Sequence, residues 1–109
     1  MSDLVNRLCQ GDHPVEITVR PERTAAAVKE CIDRGYIHVR FTGTRGGTEL
    51  GLRLTENADI SAADFDLQTG VVTLEGNLTL DYVPVTCHAR VDLATWQGIG
   101  HLKPSSQPN

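Results

Sequence analysis

A chain of 109 residues with a formal charge of −4 and 39% apolar residues has the make-up of one globular unit around one hydrophobic core. Its ten cations are scattered, which disfavours nucleic acid as a partner, because phosphate binding needs a clustered basic footprint. No stretch approaches the ~18 apolar residues of a membrane helix, so no membrane is expected as a partner.

The N-terminus lacks the cationic-then-apolar pattern of a signal peptide. Cys9, Cys31 and Cys87 are odd in number and widely spaced, unlike a disulfide framework. The expectation is a cytoplasmic protein with reduced thiols. Aromatic residues make up only 5%, so the core must be built from Val, Leu, Ile and Ala.

Ser2 or Asp3 suits the cap of a short helix with Leu4, Val5 and Leu8 on one stripe, stopped by Gly11 and Pro14. Val15, Ile17 and Val19 then alternate with Glu16, Thr18 and Arg20, the period-two signature of a strand. A helix is predicted over 21–34. Pro21 fits its first turn, Glu22 favours the positive end of its dipole, and Gly35 suits the position just past its end. Ala25, Val28 and Ile32 fall at helical spacing, with Cys31 beside them.

From Tyr36 the pattern turns to antiparallel β. Ile37, Val39 and Phe41 alternate with Tyr36, His38 and Arg40. A glycine-rich turn over 43–47 leads to alternating Leu50, Leu52 and Leu54. The loop over 55–64 has room for a helical turn, with Asn57, Asp59 and Ser61 as candidate caps. A tight turn over 67–70 enters a strand over 71–75, and Gly76-Asn77 reads as a reversal or a bend.

Leu78, Leu80 and Tyr82 then place apolar groups on even positions, whereas Val83, Val85, Cys87, Ala89, Val91 and Leu93 place them on odd ones. A one-residue slip exchanges the two faces of a strand. Pro84, unable to donate to a ladder, marks a bulge or sharp bend over 82–84. Residues 1–102 read as a single α+β domain and 103–109 as a disordered tail rich in Pro, Ser, Gln and Asn. The expected fold is therefore β-α followed by an antiparallel β-meander, with one main helix packed on one face of a five- or six-stranded sheet.

The Gly43-Thr44-Arg45-Gly46-Gly47 segment resembles a phosphate loop only in its glycines. Both flanks alternate as strands and no Gly-Lys-Ser/Thr ending follows, so a hairpin is the better reading. Contact of Arg45 with a partner or an anion is the functional alternative. No metal is expected: Cys87 and His88 are adjacent on a strand and point to opposite faces, and no Cys-x-x-Cys or His-x-x-x-His pair occurs. No cofactor fingerprint is present either.

The polar strand positions form the remaining constellation. Thr86, His88, Arg90 and Asp92 alternate against the apolar set, as do His38 and Arg40 on the earlier strand. Were those strands neighbours, imidazole, guanidinium and carboxylate groups would share one face suited to binding or acid–base chemistry. A solvated face with cross-strand charge pairs is the simpler account. Trp96 fits either a core plug or an interface anchor.

The leading functional expectation is an accessory or regulatory protein that binds another protein or itself along a strand edge, as a homo-oligomer or a subunit of a larger assembly. The alternative is a small-molecule-binding protein or small enzyme using His38, Arg40, His88, Arg90 and Asp92. Tyr82 or Trp96 would then line the pocket wall.

Overall fold

A computed structural model describes residues 3–18 and 24–104. Two short helices, α1 (Asp3–Leu8) and α2 (Ala25–Arg34), accompany seven strands. These are β1 (His13–Thr18), β2 (Tyr36–Phe41), β3 (Thr48–Leu54), β4 (Ala63–Asp64), β5 (Thr69–Leu80), β6 (Val83–Asp92) and β7 (Gln97–Pro104). The ladder runs β3-β2-β1-β7-β6-β5, all antiparallel, and β3 also pairs with β5. Six strands thus close into a barrel, and β4 is a two-residue addition to β5.

This closure corrects the expected α+β sheet with a helix on one face. Alternation of apolar and polar residues is identical for a one-sided sheet and a filled barrel, because both hide every second side chain. The core is the barrel interior, where Val15, Ile17, Ile37, Val39, Phe41, Leu52, Val72, Leu74, Cys87 and Leu102 are buried. α2 buries only Ala25 and Val28, with Cys31 and Ile32 half-buried, too little apolar surface to cover a six-stranded face. It packs on β2, while α1 inserts Val5 and Leu8 into the core and contacts β7.

The α2 start is set by Thr24, whose Oγ1 accepts from the Ala27 N–H at 3.1 Å. Pro21 and Glu22, expected in the first turn, lie outside the described residues, as do Val19 and Arg20. Gly35 ends the helix at φ 79°, a left-handed conformation that suits glycine.

The parity change around Pro84, expected as a bulge or sharp bend over 82–84, is a hairpin turn at Asp81-Tyr82. β5 runs unbroken through Gly76-Asn77 to Leu80, and β6 starts at Val83, with Leu80 paired to Val83 and Leu78 to Val85. Asp81 and Tyr82 form the two-residue connection, at φ 50° and 66°. Even positions of β5 therefore face odd positions of β6 across a tight hairpin, and both sets point inward. The parity change is the signature of the turn itself.

The 55–64 loop forms no helical turn. Asp59 exchanges backbone hydrogen bonds with Thr73 at 2.8 and 2.9 Å, zipping the loop along β5. β7 continues through Lys103 and Pro104, which pair with Thr86 and Val85. Residues 105–109 of the expected tail lie outside the described residues.

Candidate functional site

In the closed order, β2 and β6 are three strands apart in either direction, on opposite walls of the barrel. Their outward side chains diverge. His38 and Arg40 therefore share no face with His88, Arg90 and Asp92. On the β2 wall, His38 meets the Tyr36 ring edge-on at 5.2 Å. Arg40 reaches Glu16 at 4.0 Å and donates to the Gly46 carbonyl at 3.4 Å, bracing the turn that carries the exposed Arg45. Asp92 accepts from the Ala94 N–H at 2.8 Å and organises the β6–β7 turn. Trp96, in that turn at φ 66°, is only 8% exposed and packs in the core.

The other wall holds a row of side chains that antiparallel register aligns. Glu75 on β5 stands opposite His88 on β6, which stands opposite His101 on β7. Glu75 Oε2 accepts from Thr55 Oγ1 at 2.5 Å and Asn57 Nδ2 at 2.7 Å, and its Oε1 lies 3.4 Å from His88 Nδ1. The two imidazoles stack at 5.1 Å with 16° between their planes. His101 Nδ1 lies 3.4 Å from Asp12 Oδ1. The result is a row reading carboxylate, imidazole, imidazole, carboxylate.

The hydrogen bonds from Thr55 and Asn57 hold the Glu75 carboxyl below its ordinary value, aided by Lys103 and by His88 when that ring is protonated. Partial burial lowers His88, with His101 and Lys103 adding to the effect and Glu75 opposing it. The row thus favours an ionised Glu75 beside a neutral His88 at neutral pH. It borders a cleft of about 240 Å³ whose lining also includes Arg90 and the half-exposed Ile99.

No family model matches the chain, and no curated protein is significantly similar to it.

A second opening lies where the barrel closes. β2 and β3 share six residue pairs, but β3 and β5 share only Arg53↔Asn77 and Leu54↔Gly76. Gly76 makes that approach possible, since a Cβ there would sit 2.6 Å from the Leu52 Cβ. Beyond those two pairs lies a groove of about 730 Å³ between Leu50-Gly51 on β3 and Leu78-Thr79-Leu80 on β5, floored in part by Val85. Its lip carries Pro84, and the adjoining Tyr82 is 99% exposed.

His88 and Arg90 stand out from the sequence pattern, whereas Glu75, His101, Asp12 and the groove do not. Glu75 and His101 do occupy polar strand positions; what alternation lacks is the register that lines them up with His88.

Among the described residues no group of three or more His, Cys, Asp or Glu side chains is placed to hold a metal ion. Burial pushes the Cys87 thiol up to about 12, so it stays protonated and unreactive at neutral pH. No helix among the described residues is long and apolar enough to cross a membrane.

Proposed function

We propose that this barrel is a protein-binding module that takes an extended segment of a partner into the incompletely zipped β3–β5 seam. The observation that carries the reading is the two-pair ladder beside a groove flanked by two strands. Such a site offers main-chain hydrogen bonding from a strand edge and apolar contacts for alternate side chains of an added strand. The partner chemistry that fits is an extended peptide with apolar residues at every second position, because Leu50, Leu78, Leu80 and Val85 line the groove.

Tyr82 supports the reading. A non-glycine residue at φ 66° is locally unfavourable, and a tyrosine 99% exposed recovers little by burial. An aromatic side chain held out beside a groove suits an interface anchor. The role is that of an accessory or regulatory component, and a cytoplasmic setting suits the free thiols of Cys9, Cys31 and Cys87.

Selection of peptides from a random displayed library tests the proposal. The expected binders have alternating apolar residues, protect amides of β3 and of the end of β5 from hydrogen exchange, and lose affinity with Tyr82→Ala. Failure to enrich any peptide, or binders whose protection maps away from both strands, refutes it.

A further inference from the structure

We infer that the cleft on the outer wall of β5, β6 and β7 is a binding site for a small oxyanion, the carboxylate or phosphate of a low-molecular-weight ligand, with Arg90 as its principal contact. This site is independent of the seam: the two openings share no lining residue.

Charges in the cleft are unevenly committed. Two carboxylates line it with Arg90, yet neither pairs with the guanidinium. Glu75 is held by Thr55, Asn57 and His88, and Asp12 by His101. Arg90 is exposed and forms no hydrogen bond or ion pair with another described residue. Its planar fork of donors matches two oxygens of a carboxylate or phosphate. The cleft, at about 240 Å³, has room for a compact molecule, and the half-exposed Ile99 offers that molecule an apolar wall.

The histidines add a second contact. Each has its Nδ1 facing a carboxylate, which fixes the ring and leaves its Nε2 without a partner among the described residues. In the neutral form Nδ1 carries the proton toward the carboxylate and Nε2 accepts; on protonation Nε2 also donates. An anion beside the His88 ring favours its protonated form, so binding strengthens as pH falls toward the lowered value of that imidazole. Glu75 on β5 and Lys103 on β7 act on the His88 ring, and Asp12 ahead of β1 faces His101, while Arg90 on β6 lines the same cleft. Three potential cations besides Arg90 thus stand against two committed carboxylates. The chain's formal charge of −4 disfavours diffuse anion binding elsewhere.

The test is titration of the full chain with inorganic phosphate and, separately, with succinate, following the His88 and His101 ring resonances by NMR. Runs near pH 6 and near pH 8 bracket the imidazole range. A saturable shift is expected with at least one ion, tighter at the lower pH, and the ion that saturates first identifies phosphate or carboxylate chemistry. Arg90→Ala should weaken binding about tenfold or more, the loss of one charge-assisted contact. Arg45→Ala, in the distant β2–β3 turn, should leave it unchanged. Shifts that fail to saturate by ~20 mM of either ion, weaker than the millimolar range of a meaningful site, overturn the inference. So does binding that Arg90→Ala does not affect. Neither result bears on peptide capture at the seam.

Discussion

The two sides of β5 are built to different degrees of completion. Toward β6 the strand forms ten consecutive residue pairs, and on that wall the outward side chains of β5, β6 and β7 lock into a row of hydrogen bonds, stacked rings and charge contacts. Toward β3 it forms two pairs and then parts from its neighbour around a groove. Both sides carry the same inward apolar alternation. What differs is how far each ladder extends, so one wall presents fixed polar chemistry and the other a groove with apolar lining.

Truncation of buried leucines on each side gives the largest test of that contrast. Leu74 and Leu52 are both fully buried, and Leu→Ala at either should cost about 2–5 kcal/mol. Leu52→Ala is expected at the lower end, because the seam beside it can collapse into the space left. Chemical denaturation of both variants measures this; a larger loss at Leu52 would mean the seam is as rigid as the wall.

Closure itself is tested next. Gly76→Ala should destabilise by about 1–3 kcal/mol, since its Cβ would press on that of Leu52. A neutral substitution would show that β3 and β5 separate freely at Arg53 and Leu54.

Tyr82→Gly should work in the opposite direction. Relief of the left-handed strain is expected to stabilise the hairpin by about 1 kcal/mol, while removing the proposed anchor of the seam. Thermal unfolding and peptide binding, measured on the same variant, should therefore move oppositely. A variant that loses stability refutes the strained-anchor account.

The smallest effect is expected on the wall, as a pH dependence. His88 has a folded pKa below its ordinary value of about 6.5. Its contribution is full above that value and is lost as pH falls below it toward the lowered folded pKa. Glu75 is also lowered, so its contribution is present above the ordinary carboxylate range and disappears as pH falls through its folded value. In both cases the unfolded chain takes up protons first, and acid destabilises. Melting temperature should fall between about pH 7 and pH 5, and His88→Gln should flatten that slope. A rise on acidification would refute the assignment.

Several of these features are legible in the amino-acid sequence. The strands β1, β2 and β3, the glycine turn joining β2 and β3, and the end of α2 at Gly35 follow from alternation and turn chemistry. His88 and Arg90 emerge as candidates because they fall on outward positions of a long strand. The grouping of His38 and Arg40 with them fails, because alternation reports which face a side chain takes on its own strand and not which strands are neighbours.

The sequence by itself determined the inward and outward sets of the strands. The parity change it carries before Pro84 left a bulge or bend as the reading, and only the pairing of Leu80 with Val83 made it a hairpin. Tertiary structure alone decided that the sheet closes and that β2 and β6 face apart. It also decided that Glu75, His88 and His101 align and that the seam stops after two pairs. Those are statements about pairing between residues distant in the chain. A local pattern cannot carry them, because the same period-two signal serves every register and every strand order.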